Sequence, residues 1–163
     1  MAAGFRLTPG LRFGLRFFLC LLLSSLVFWA FSLHEHLGPV QRAITWASAM
    51  LARLTGSGAV ARDDDIVVNA MVINVNHECT GIFVLILFAS FVISYPATWV
   101  ARGIGFAIGI PALMSVNVLR LATLARIVEI HPSAFFYFHE YVWQGVFMVL
   151  VLVGAIAWAE RFG

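Results

Sequence analysis

The sequence predicts an all-α membrane protein: four transmembrane helices, with an extracytoplasmic amphipathic helix and a short β-hairpin between the first and second spans. Three observations carry this. Of 163 residues, 62% are hydrophobic and 11% charged, with a mean hydropathy of +0.96, which leaves a water-soluble domain too little polar surface to cover itself. Apolar runs at residues 17–33, 80–95, 103–121 and 141–158 are each bounded by charged or aromatic residues. Between the first two runs lies a polar stretch whose period changes from helical to strand-like.

The first run follows Arg6, Arg12 and Arg16 and reads as a helix entering from the cytoplasm. Ala30 and Ser32 have the small-residue spacing of a signal-peptidase site. The run is longer than the roughly 7–15 residues of a signal-peptide core, so an uncleaved anchor is expected. After His34, Glu35, His36 and Gly38-Pro39, residues 40–54 place Ile44, Ala47, Met50/Leu51 and Leu54 at helical spacing among polar residues. That pattern predicts a helix lying on the membrane surface. Gly56-Ser57-Gly58 ends it, and Arg62-Asp63-Asp64-Asp65 is a solvated turn.

Residues 66–68 and 71–75 are β-branched and alternate around Asn69-Ala70, which predicts a hairpin whose second strand runs into Asn76-His77-Glu78-Cys79-Thr80-Gly81. From Cys79 to Tyr95 is about 17 residues, or roughly 25 Å of helix against a ~30 Å hydrocarbon core. Cys79 is therefore expected near the headgroups. Tyr95-Pro96, Trp99 and Arg102 mark the cytoplasmic interface. In the third span, Pro111 predicts a kink, and Gly103, Gly105 and Gly109 a close helix contact. Asn117 and Arg120 share a face at its outer end. The aromatic belt Phe135, Phe136, Tyr137 and Phe138 precedes His139-Glu140, which open the last span, and Glu160-Arg161 closes it.

The chain thus reads as one integral membrane domain, 1–163: a cytoplasmic tail (1–16), the first span, an extracytoplasmic segment (34–78) and a three-helix part (79–163). The ten basic residues are all arginine, five on each side of the membrane in this topology. Orientation rests on the N-terminal cluster alone. No dense basic patch suggests a nucleic-acid partner. Cys20 and Cys79 fall at different depths, so no bridge between them is expected.

In this topology Cys79, Arg120 and His139, from three different helices, meet one membrane face. A thiol is a nucleophile once ionised, an imidazole can move its proton, and a guanidinium can hold an oxyanion. The start of an apolar helix favours thiolate, while Glu78 opposes it, which leaves the sign of the shift open. Taken singly, Cys79 reads as a small buried hydrophobe, His139 as an interfacial histidine, Arg120 as a lipid-phosphate arginine and Asn117 as a helix-helix hydrogen-bonder. Together they compose a reaction site, with Asn117, Glu140 and Glu78 in support.

Glu78-Cys79-Thr80-Gly81, Asn117-x-x-Arg120 and His139-Glu140, in that order, resemble the Cys, Arg and His signatures of the exosortase/archaeosortase family, and the small size is similar to its short exosortase H subgroup. Thr80 stands where many members have Ser or Ala, and the extra N-terminal spans of larger members are missing. The resemblance implies a sortase-like cysteine peptidase/transpeptidase, without cofactor, in the bacterial inner membrane with its active site outside. Its partners would be exported proteins bearing a short C-terminal motif, a transmembrane helix and a basic tail. Cys79 would form a thioester, Arg120 steady the oxyanion and His139 shuttle protons.

Two alternatives stay open. One is a non-catalytic membrane assembly subunit, packed through Gly103, Gly105 and Gly109. The other is a metal site drawn from His34, His36, His77, His131 and His139 with Glu78 or Glu140, although no H-E-x-x-H is present.

Overall fold

A computed structural model describes residues 8–162. Helix α1 (Pro9–Ala30) starts where Thr8 Oγ1 accepts the Leu11 N–H at 3.4 Å and Pro9 occupies the first turn. The apolar run expected from residue 17 is thus the continuation of a longer helix. Arg12 and Arg16 ride on its first turns instead of preceding it, and Arg6 lies outside the described residues. Ser32, in the left-handed region, and a short 3₁₀ turn (Leu33–Leu37) redirect the chain into α2 (Gly38–Leu54).

Helix α2 is amphipathic as expected, but with a different inner face. Thr45, Ser48, Ala49 and Ala52 join Ile44 in burial, whereas Met50 is exposed and Leu54 is 76% exposed. Small residues let α2 lie close along α4. The large side chains Trp46, Met50 and Leu54 are left on an outward stripe, the stripe that suits an apolar surround.

The expected hairpin is present as β2 (Asp65–Val68) and β3 (Met71–Asn74), turning on Asn69 with φ +54°. A third strand, β1 (Val60–Arg62), pairs antiparallel with β2 through the Asp63-Asp64 turn, so the sheet has the order β1-β2-β3. Three residues without clear alternation gave β1 no legible signal. Ile66, Val68, Ile73 and Val75 pack one face of the sheet onto α2 and α4.

After a 3₁₀ turn (His77–Thr80) comes α3 (Ile82–Ser94), apolar but only 13 residues long, or about 20 Å. Gly81 and Tyr95-Pro96 cut it short of the expected span. α4 (Trp99–Ile130) runs 32 residues as one helix through Pro111, so the proline does not divide it. Helical structure then resumes at Pro132, passes through α5 (Phe135–Tyr137) and a π-helical segment (Phe138–Val142), and ends in α6 (Trp143–Phe162). Among the described residues three helical stretches, 9–30, 99–130 and 132–162, are long and apolar enough to cross a membrane. The protein is therefore a multi-pass membrane protein with one shorter apolar helix.

Two cores result. In the lower one, Gly109 admits the Phe88 ring and Gly105 admits Trp158, whose Nε1 would stand 2.7 Å from a Cβ at residue 105; Gly103 faces open space. Of the glycines expected at a helix contact, Gly105 and Gly109 make theirs within the chain. The upper core joins α2, the sheet and the C-terminal half of α4, and Cys79 belongs to it.

Candidate active site

The turn before α3 is built to fix the Cys79 backbone. Asn76 lies three residues ahead, and both its side-chain Oδ1 (3.1 Å) and its carbonyl (3.0 Å) accept the Cys79 N–H. The Thr80 hydroxyl donates to the His77 carbonyl at 2.6 Å, closing the same turn. Gly81, at φ +75°, then reverses the chain into α3, a conformation that costs other residues strain. From α4, Asn117 Nδ2 donates to the Cys79 carbonyl at 2.8 Å. Asn117 is fully buried, and a Cβ at Gly81 would stand 3.2 Å from its Cγ.

The sulfur, 6% exposed at the residue level, lies 4.0 Å from His139 Nε2 and 4.0 Å from the Asn74 carbonyl. On the other side of the imidazole, His139 Nδ1 lies 3.0 Å from Glu140 Oε1, and the ring stacks on Phe135 at 5.5 Å between centroids and 21° between planes. His139 and Glu140 do not open a helix as expected. They sit inside the π-helical segment, whose wider turn sets the direction of the side chains it carries.

Arg120 is likewise not at a helix end, because α4 continues to Ile130. Its half-buried guanidinium lies over the Phe147 ring at 5.6 Å, and its Nε is buried without a partner among the described residues. Arg120, His139, Glu140 and Glu78 line one cleft of about 420 Å³ with Phe83, Leu87, Gln144 and Phe147 among its other walls.

Burial pushes the Cys79 thiol above its ordinary range. The Arg120 charge is the largest influence in the other direction, followed by the hydrogen bond from Asn76, while Glu78 and Glu140 raise it further. This signs the shift that composition left open: at rest Cys79 is a thiol. A thiol held in this state would need a base in reach to act as a nucleophile, and His139 Nε2 lies 4.0 Å from it.

Of the predicted residues, Arg120, His139, Glu140 and Glu78 thus line one cleft, Cys79 adjoins it through the 4.0 Å approach to His139, and Asn117 holds the Cys79 carbonyl from α4. Asn74, Asn76, Phe135 and Phe147 were not assigned to the site from the sequence, although Asn76 and Phe135 were noted beside it. The Asn76-x-x-Cys79 spacing of a side-chain cap was legible there; the Asn74 and Phe147 contacts cross between elements and were not. The remaining histidines do not converge: His34 and His77 are near neighbours at 5.5 Å between rings, and His131 lies elsewhere. No group of three or more His, Cys, Asp or Glu is placed to hold a metal ion among the described residues. Cys20 and Cys79 are both free.

Comparison with known proteins gives two matches. A curated protein of Methanocaldococcus jannaschii named "Probable archaeosortase E" is 27% identical over 117 residues, which cover 72% of this chain and 63% of that protein. The match thus spans under two thirds of that relative's length. No solved structure matches. The model of the transmembrane exosortase family matches residues 3–158, from the first helix through most of α6, and the chain belongs to that exosortase/archaeosortase family.

Proposed function

We propose that this protein is a membrane-embedded cysteine peptidase and transpeptidase that removes C-terminal sorting signals from exported proteins and transfers them to a surface anchor. The observation that carries this reading is the 4.0 Å approach of Cys79 Sγ to His139 Nε2 across 60 residues of sequence, with Arg120 in the same cleft. Family membership supports sorting-signal processing as the biological setting.

In the first half-reaction the Cys79 proton passes to His139 Nε2 as sulfur bonds to the substrate carbonyl carbon. The carbonyl electron pair becomes an oxyanion, which the Arg120 guanidinium neutralises. Collapse of the tetrahedral species breaks the C–N bond, and the departing amine takes the proton from His139, leaving a thioester on Cys79. In the second half-reaction an acceptor amine, or water, attacks the thioester and gives its proton to His139. The thiolate leaves and is reprotonated. Glu140 holds Nδ1–H, fixing the tautomer that presents Nε2 to the sulfur.

In this reading the 34–78 segment lies outside the cell, residues 79–163 form the catalytic part, and the membrane is the bacterial inner membrane. The substrate brings a short motif, a transmembrane helix and a basic tail. Below the sulfur, the cleft wall of Phe83, Val84 and Leu87 on α3 and Phe147, Met148 and Val151 on α6 is apolar enough to take such a helix. The test is Cys79→Ala, co-expressed with an exported protein carrying a C-terminal signal of this kind. Processing should stop, and mass spectrometry of the unaltered enzyme should find a thioester on Cys79. Continued processing by the variant would sink the assignment.

A further inference from the structure

The sheet ends on β3, and the far side of that strand has no partner strand among the described residues. Register decides which backbone groups face outward. The Val75 N–H donates to the Asp64 carbonyl at 2.8 Å, so residues 64 and 75 form a hydrogen-bonded pair. Alternation makes Ile66–Ile73 and Val68–Met71 the next such pairs. Val72 and Asn74 are then the residues whose N–H and C=O point away from β2. Both are exposed, Val72 by 61%. Free edges are ordinarily blunted by charge, proline or a bulge. The run Met71-Val72-Ile73-Asn74 has none of these.

A second observation ties this edge to the candidate site. The outward carbonyl of Asn74 is the group 4.0 Å from Cys79 Sγ, so the hydrogen-bonding line of the strand ends at the sulfur. The sulfur also lies 4.0 Å from His139 Nε2, and His139 lines the cleft. We infer that the β3 edge binds an extended stretch of the polypeptide substrate as an added strand, which lays the scissile carbonyl over Cys79. The inference rests on the peptidase reading and adds the recognition element to it. The edge offers main-chain donors and acceptors at strand spacing, and an extended polypeptide is the ligand that matches them in kind and repeat. Affinity then comes from the main chain and does not depend on a particular side chain.

The probe is a tetra-alanine chloromethyl ketone, compared with its single-alanine counterpart on the full-length protein in detergent. Iodoacetamide labelling of Cys79 serves as the internal standard. Two or so main-chain hydrogen bonds should make the tetrapeptide alkylate Cys79 about tenfold faster than the single-residue reagent. Methylating alternate amide nitrogens gives two isomers, of which one should fall to the single-residue rate and the other keep the advantage. Val72→Pro removes an N–H that faces away from β2, a placement where proline is tolerated. It should cancel the tetrapeptide's advantage and leave iodoacetamide labelling unchanged.

Equal rates for the long and short reagents, or equal loss in both methylated isomers, would overturn the proposal. Retention of the advantage in Val72→Pro would do the same. If Val72→Pro alters iodoacetamide labelling, the methylated pair on the unaltered protein decides alone. A dimer that becomes a monomer in Val72→Pro with the advantage intact would assign the edge to a second copy of this chain and also overturn it. Each of these outcomes leaves the peptidase reading standing; processing by Cys79→Ala would remove both.

Discussion

The turn that carries the sulfur and the turn that carries the imidazole are held in opposite ways. Around Cys79 the backbone is fixed at both ends, by Asn76 on the N–H and by fully buried Asn117 on the carbonyl, and it sits in the upper core. Around His139 the backbone is a π-helical segment, the side chain is 26% exposed, and orientation comes from Glu140 and the Phe135 stack. The nucleophile is thus set by folding itself. The imidazole is set by a few local contacts, which in the proposed reaction suits a group that must give and take a proton twice per turnover.

Removing either side should therefore fail differently. His139→Ala should cost the largest factor, roughly 10²–10⁴ in turnover, with thermal unfolding in detergent little changed. A comparable loss of thermal stability would show that the imidazole is as embedded as the sulfur, and the contrast would disappear. Gly81→Ala should act in the reverse order. The left-handed φ and the 3.2 Å approach to Asn117 together predict a destabilisation of about 1–3 kcal/mol, with lost activity following from lost fold. Asn76→Ala removes one side-chain cap and should cost about 1 kcal/mol, read as a smaller fall in the unfolding midpoint. Full stability in Gly81→Ala would mean the turn is not the constraint described here.

The same contrast explains what was legible in the sequence. The residues of the sulfur's turn are sequential, so Cys79, its helix mouth and the hairpin leading to it could be read from composition and alternation. Asn117 and Arg120 were legible as polar residues on one face of an apolar helix. Their place at a helix end was misjudged, because α4 shows no break between the expected span and its nine-residue continuation to Ile130. The π-helical segment left no mark, since Phe138-His139-Glu140-Tyr141-Val142 has the composition of an ordinary helix start. β1 was missed because three residues are too few for a period. The inner face of α2 was misread for a physical reason: beside lipid, size complementarity outweighs hydrophobicity, so Thr45 and Ser48 go inward while Leu54 goes out.

The finest test of the contrast is the titration of the sulfur. Burial raises the Cys79 thiol, so its alkylation rate should climb with pH and level off above the range of a free cysteine. Because the Arg120 charge holds the thiol down, Arg120→Gln should move the plateau to still higher pH. Because Glu78 and Glu140 push it up, Glu78→Gln should move the plateau lower. Glu140→Gln should do the same for the titration yet slow turnover, since it also removes the carboxylate charge facing His139 Nδ1. A plateau that ignores all three substitutions would place these charges too far from the sulfur to act in one site. A plateau that follows Glu78 but ignores Arg120 would retain the cleft and remove the guanidinium from its chemistry, because a cation too far off to favour the thiolate is also too far off for the oxyanion, which forms two bonds from the sulfur.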